Sequence, residues 1–307
     1  MQTLASFFLT RRVRLPPGEE RFVEVEPGIR LLCHCHWQRD RRSALTAIVV
    51  HGLEGSSDSQ YVLGITSKGL AAGMNIVRMN QRNCGGTDHL APTLYNSSLS
   101  GDLAAVARNL IERDGVPRFT LVGFSMGGNL ALKLAGEWGS AGPPQFRGVA
   151  AVCPAMDLAP SADALHEPAN RLYEYHFLLK LMRRFRRKAR LFPGRFETSR
   201  LAGISSLREF DDKITAHYCG FEGAADYYAR ASASNVVDRI AVPALIIHAA
   251  NDPFIRILPA SQAKLRTNPN VTFLQTADGG HCAFLGEPNG YDGHWAEHRV
   301  VEFLRGL

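Results

Sequence analysis

Gly123-Phe124-Ser125-Met126-Gly127 sets a serine midway between two glycines, directly after the strand-like run Phe119–Val122 and directly before the helical pattern Asn129–Glu137. A strand that turns into a helix within so few residues leaves no room for bulky side chains two positions either side of the turn. The residue at its tip is lifted clear of the sheet, toward the positive end of the helix that follows. A serine held there can act as a nucleophile once a base removes its proton. Two downstream loops offer that base and its orienting acid. Ala244–His248 reads as a strand followed by Ala249-Ala250-Asn251-Asp252-Pro253, and Val271–Gln275 as a strand followed by Thr276-Ala277-Asp278-Gly279-Gly280-His281. Asp252 and His281 therefore project from the carboxyl ends of parallel strands, where open α/β sheets carry their sites. Their order along the chain, Ser then Asp then His, is that of a hydrolytic triad on such a sheet. Asp278 is the alternative acid, though it lies only three residues from His281 in the same loop.

Acyl transfer also needs donors for the oxyanion. His51-Gly52-Leu53-Glu54-Gly55 follows the apolar run Ala44–Val50, and a turn there presents a backbone N–H toward the serine. The amide of Leu53 is the expected first donor and that of Met126 the second, with Gly52 and Gly55 allowing close approach. Two such donors are each worth about 3–4 kcal/mol in the transition state.

The elements that must hold these residues are legible as an alternation. Val- and Ile-rich runs at Ala44–Val50, Asn75–Met79, Phe119–Val122, Gly148–Cys153, Ala244–His248 and Val271–Gln275 are interleaved with helical spacings, the mark of βαβ units and a mainly parallel sheet. From about Pro154 to Asp238 the rhythm stops, which predicts an inserted helical cap over a hydrolase core made of residues 1–153 and 239–307. Within residues 154–238, Leu178, Leu181, Met182, Phe185, Ala189 and Phe192 recur at helical spacing. The opposite face reads as Lys180, Arg183, Arg184, Arg186, Arg187, Lys188 and Arg190. Those seven cations exceed the net charge of the whole chain, +6 from 35 Lys+Arg against 29 Asp+Glu in 307 residues, so the basicity is local. Such a face is expected to meet water or an anionic membrane surface. Its arginines at 183, 184, 186 and 187 are expected to be dispensable for turnover of a soluble ester.

H-G-L-E-G-S-S at 51–57, R-N-C-G-G-T at 82–87, L-Y-N-S-S-L-S-G-D-L at 94–103 and G-F-S-M-G-G-N at 123–129 belong to one pattern. F-D-D-K-I-T-A-H-Y-C-G-F at 210–221, D-Y-Y at 226–228, N-D-P-F-I at 251–255 and G-G-H at 279–281 complete it. Over residues 45 to 285 this resembles the α/β-hydrolase superfamily and, more narrowly, its YheT-like branch of esterases. Asn96, where the branch often has His, and Cys282-Ala283 after His281 are departures that leave Ser125, Asp252 and His281 in place. The resemblance implies an eight-stranded, mostly parallel sheet flanked by helices, with a lid above the nucleophile.

The expectation is a carboxyl-ester hydrolase working through an acyl-enzyme, with Gly52, Gly123 and Gly127 as supporting glycines and acyl chains of roughly four to ten carbons. Thioesterase, amidase and perhydrolase chemistry share the same residues. A lipase directed at lipids or phospholipids through the basic lid, and a non-catalytic binding protein, are further alternatives. No metal or organic cofactor is called for. Cys33 and Cys35 read as core residues rather than as a zinc knuckle, which needs a second pair. Aromatic stacking partners for nucleic acid are missing from the basic stretch. The beginning, Met1–Arg12, lacks a basic leader region and a cleavage site, so a reduced, cytoplasmic setting is expected.

Overall fold

In a computed structural model, Thr3 and residues 11–307 are described; the rest of Met1–Thr10 lies outside them. Eight strands form one sheet: β1 (Glu19–Glu26), β2 (Ile29–His36), β3 (Thr46–Val50), β4 (Asn75–Met79), β5 (Phe119–Phe124), β6 (Phe146–Val152), β7 (Ala244–Ala249) and β8 (Val271–Thr276). Their spatial order is β1-β2-β4-β3-β5-β6-β7-β8. The strands from β4 to β8 run parallel, and β1 and β2 add an antiparallel hairpin at one edge. The hairpin is an addition to the strands expected from apolar runs. Its inward residues Val23, Leu31, Cys33 and Cys35 alternate with a mixed outward set, Phe22 and Leu32 among Glu24, Arg30 and His34, so the two strands lack the Val/Ile density of the central ones.

The central strands are buried on both faces, and their period-two alternation divides the core in two. Ile48, Val50 and Leu121 face one layer, with Leu103, Val106 and Leu110 of the helix Ser100–Asp114 and Leu130 and Leu134 of the helix Met126–Trp138. Ala47, Val49 and Val122 face the other, with Val62 and Ile65 of the helix Gln60–Ala71 and Val300, Val301 and Leu304 of the helix Trp295–Arg305. Residues 154–238 contain helices and no strand, the longest helix being Arg171–Leu191. Its Leu178, Leu181 and Phe185 join the first of the two core layers.

At the sheet centre, backbone meets backbone. A Cβ on Gly123 would lie 2.2 Å from the carbonyl oxygen of Gly127, and one on Gly127 would lie 2.5 Å from the carbonyl oxygens of both Val50 and His51. Neither neighbour can yield without moving a central strand. Gly127→Ala should therefore cost about 3 kcal/mol or more, the upper range for overpacking. By contrast, Gly101 sits exposed in a helix with nothing near its missing Cβ. Gly101→Ala should stabilise by about 0.5–1 kcal/mol. Urea midpoints of the two variants would check the pair, and an unchanged midpoint for Gly127→Ala would contradict the close-packing account.

Candidate active site

Ser125 occupies the turn between β5 and the helix Met126–Trp138 with φ 53° and ψ −119°, a backbone conformation that L-residues rarely adopt. Its N–H is tied to Val152 O at 2.9 Å, on the neighbouring strand, which holds the strained residue in place. The hydroxyl of Ser125 lies 3.0 Å from His281 Nε2, and His281 Nδ1 lies 2.8 Å from Asp252 Oδ2. A carboxylate can only accept, so Nδ1 carries the proton and Nε2 is left to accept from the serine hydroxyl. Asp252 is 3% exposed. Its other oxygen, Oδ1, accepts from the N–H groups of Phe254 and Ile255 at 3.1 and 2.9 Å.

Electrostatics follow from this geometry. Burial alone would raise the Asp252 pKa, but the His281 charge and three hydrogen bonds outweigh it and hold the carboxyl below its ordinary value. For His281 burial alone would lower the pKa; the facing Asp252 carboxylate overcomes this and raises it above the usual imidazole range. Phe254 packs against the imidazole with ring centroids 4.4 Å apart, walling that side from water. The rival acid, Asp278, turns away and accepts from Asn251 Nδ2 at 2.7 Å. His248, in β7, is buried near Asp252 without touching the serine.

The loop after β3 brings His51–Gly55 over the serine. A Cβ on Gly52 would lie 3.0 Å from Ser125 Cβ. The N–H of Gly52 is taken by Tyr61 Oη at 2.9 Å and that of Glu54 by Tyr95 Oη at 3.1 Å. Among the hydrogen bonds of the described residues, none uses the N–H of Leu53 or that of Met126. The two amides beside the serine are thus available to a ligand oxygen.

Glu54 was not singled out by its sequence pattern, and it is the anchor of this loop. It sits at φ 55°. Its carboxylate receives Tyr95 Oη at 2.6 Å and both Nε (2.8 Å) and one terminal nitrogen (3.0 Å) of Arg184. Arg184 also donates to Asn83 O and stacks over the Tyr95 ring at 5.3 Å. One turn further along the same helix, Lys188 is wholly buried and donates to Asn83 Oδ1, Asp88 O and Ala91 O. Arg187 bonds Asp88 at 2.8 Å. This corrects the reading of 180–190 as one solvated basic face. Arg184 and Lys188 point into the protein because the loops 51–55 and 83–91 supply acids and carbonyls to receive them. Lys180, Arg183, Arg186 and Arg190 stay exposed.

Two cavities meet at Ser125. One is largely apolar, about 930 Å³ of space lined by Leu53, Met126, Leu158, Leu181, Phe185 and Phe254 among others. The other is more polar and is lined by Gly52, Tyr61, His176, Lys180, His281 and Glu297 among others. His281 lines only the second. Sulfur and nitrogen ligands do cluster here. The ligand atoms of Cys153, His281 and Cys282 lie within 4.8 Å of one another, as do those of Cys153, His248 and Asp252. Both clusters share a residue with the Ser125–His281–Asp252 chain, so an ion in either would compete with it. The thiols of Cys153 and Cys282 donate to Gly280 O and Val152 O, each at 3.6 Å.

Residues 48–288 match the family model described as alpha/beta hydrolase fold. YheT of Escherichia coli (strain K12) is 32% identical over 313 residues, covering 99% of this chain and 89% of that protein. Phospholipase ABHD3 of Mus musculus is 29% identical over 295 residues, covering 92% of this chain and 70% of that protein. The solved esterase Pf2001 of Pyrococcus furiosus shares the fold, with a TM-score of 0.61 and 17% identity over 94% of this chain and 92% of that one. The chain belongs to the alpha/beta hydrolase fold family.

Proposed function

We propose that the protein hydrolyses carboxylic esters through an acyl-enzyme on Ser125. The observation that carries this reading is the unbroken chain Ser125 Oγ–His281 Nε2 (3.0 Å) and His281 Nδ1–Asp252 Oδ2 (2.8 Å), beside two untied backbone amides. His281 takes the serine proton as Oγ attacks the acyl carbon, and Asp252 fixes the imidazole tautomer and stabilises the imidazolium. The carbonyl oxygen, gaining charge, moves onto the N–H groups of Leu53 and Met126. Because His281 must protonate the departing alcohol and lines only the second cavity, the alcohol lies there and the acyl chain lies in the apolar one. Water then enters by the route the alcohol left, activated by the same imidazole. Residues 154–238 act in this reading as a cap whose apolar stripe closes the acyl cavity. Thioesters of the same acyl groups fit the same steps, and matched oxygen esters, thioesters and amides would rank the three.

Ser125→Ala should abolish both ester turnover and labelling by a fluorophosphonate, with stability changed by no more than about 1 kcal/mol. Asp252→Asn should lower kcat about ten-thousand-fold by favouring the wrong tautomer, while Asp278→Asn should be close to wild type. If Asp278→Asn is the more damaging change, the acid is misassigned. The pH profile follows in sign from the imidazole. Only neutral His281 accepts a proton, and its pKa is raised by Asp252, so kcat/KM should climb with pH and be lost as pH falls through that raised value. In Asp252→Asn the residual activity should titrate at lower pH. A profile that does not move would separate the carboxylate from the imidazole's charge.

The exposed side of the helix Arg171–Leu191 also carries Leu172 and Tyr175, 69% and 60% exposed, ahead of Arg183, Arg186 and Arg190. An apolar tip beside cations suits the surface of an anionic bilayer, and no helix among the described residues is long and apolar enough to cross one. Changing Arg183, Arg186 and Arg190 to Gln should weaken binding to phosphatidylserine vesicles by about 1 kcal/mol per charge and leave soluble butyrate ester turnover intact. Arg184→Met should instead cost about 3–5 kcal/mol of stability by stranding Glu54, with turnover falling alongside. Vesicle binding absent in the wild type would remove the membrane contact.

A further inference from the structure

The acyl cavity has one acidic side chain in its lining, Asp211, and the relay does not use it. It begins the π-helical stretch Asp211–Ala216, a rare geometry that is frequent at functional positions. Thr215 Oγ1 donates to its Oδ1 and Tyr228 Oη to its Oδ2, each at 2.7 Å. Tyr227, which also lines the cavity, receives the N–H of Ser97 on its hydroxyl at 2.9 Å. Asp211, Thr215, Tyr227 and Tyr228 thus make one polar wall in a cavity that is otherwise mainly apolar.

No lysine or arginine among the described residues pairs with Asp211. Arg208 lies over the Tyr228 ring at 5.1 Å, but its ion pair is with Asp163 at 2.6 Å. A carboxylate offers about four acceptor positions, and two are filled. Burying an unpaired charge is costly, and apolar side chains of similar size would close the same wall without that cost. We propose that Asp211 is a specificity-determining residue that accepts a hydrogen bond from a hydroxyl carried on the acyl chain, so that the preferred substrates are esters of hydroxylated acids. Burial pushes the carboxyl up to about 6 against the two hydrogen bonds that favour ionisation, so it is mainly an acceptor at neutral pH and above. A plain acyl chain filling the cavity would leave those acceptor positions dry and unmet, whereas a hydroxyl at the right depth meets them.

This inference rests on Ser125 being the acylated residue, and its test keeps the two apart. Nitrophenyl esters of unbranched acids and of their terminally hydroxylated analogues, roughly four to twelve carbons long, would be compared in the wild type under mildly alkaline conditions. At one or two adjacent lengths the hydroxylated ester should lead by about tenfold or more in kcat/KM, carried by KM, which is the scale of one charge-assisted hydrogen bond. In Asp211→Leu the order should invert while the plain ester is still cleaved and fluorophosphonate still labels Ser125. Asp211→Asn, which keeps the side chain's size but removes its charge and one acceptor oxygen, should cut the preference several-fold and covers the case in which Asp211→Leu does not fold; an unchanged preference there overturns the proposal too. A hydroxyl that lowers kcat/KM at every length in the wild type overturns the proposal, as does an unchanged preference in folded Asp211→Leu. If the wild type cleaves neither series and resists the fluorophosphonate, the serine reading itself has failed and this one falls with it.

Discussion

Everything in this molecule is arranged around a steric limit: β3, β5 and the helix after β5 touch through their backbones, with room for a hydrogen and nothing larger at Gly123 and Gly127. That contact forces Ser125 into its positive-φ conformation and sets its hydroxyl above the sheet. The loop after β3 also comes close to the serine there, a Cβ on Gly52 having only 3.0 Å to Ser125 Cβ. The parallel register of β5 through β8 then carries Asp252 and His281 to the same edge without further adjustment. One close approach between two strands and a helix thereby determines where four separate loops can deliver their side chains.

Charge is used sparingly and in pairs around that centre. Asp252 is compensated by an imidazole and two amides, Glu54 by a guanidinium and a phenol, and Lys188 by three oxygens. Hydrogen bonds satisfy all three buried ions, and for Asp252 and Glu54 an opposite charge adds to them, the condition under which burial is tolerable. Asp211 departs from this pattern, holding hydroxyl partners and no cation.

The parts of the protein visible in its sequence are those written in short-range pattern. Ser125 was legible because strand, glycines and helix are contiguous, and Asp252 prevailed over Asp278 because it follows a strand end in the loop before the histidine's own. The apolar stripe Leu178, Leu181 and Phe185 of the helix Arg171–Leu191 was legible from its spacing. Arg184 and Lys188 were not, since a basic run at helical spacing reads as solvated, and their partners Glu54, Asn83 and Asp88 stand about a hundred residues away, in loops with no periodicity. Of the β1–β2 hairpin only the strand-like run around Cys33 and Cys35 was legible, because its outward face mixes Phe22 and Leu32 with charged residues and its inward alternation lacks the Val/Ile density of the central strands. The π-helical turn at Asp211 has no sequence signature at all, because it depends on one additional residue being accommodated between packed helices.

The burial of Arg184 and Lys188 has a consequence for motion. Swinging the helix Arg171–Leu191 away from the sheet would strip Glu54 and Arg184 of each other and leave the Lys188 ammonium without its three oxygens. Each of those bonds would have to be exchanged for water at once, so an outward-swung arrangement is disfavoured. These contacts fasten the helix as a wall of the apolar cavity. In the proposed ester hydrolysis, substrate and product would then pass through the polar cavity beside His281, with no flap to lift.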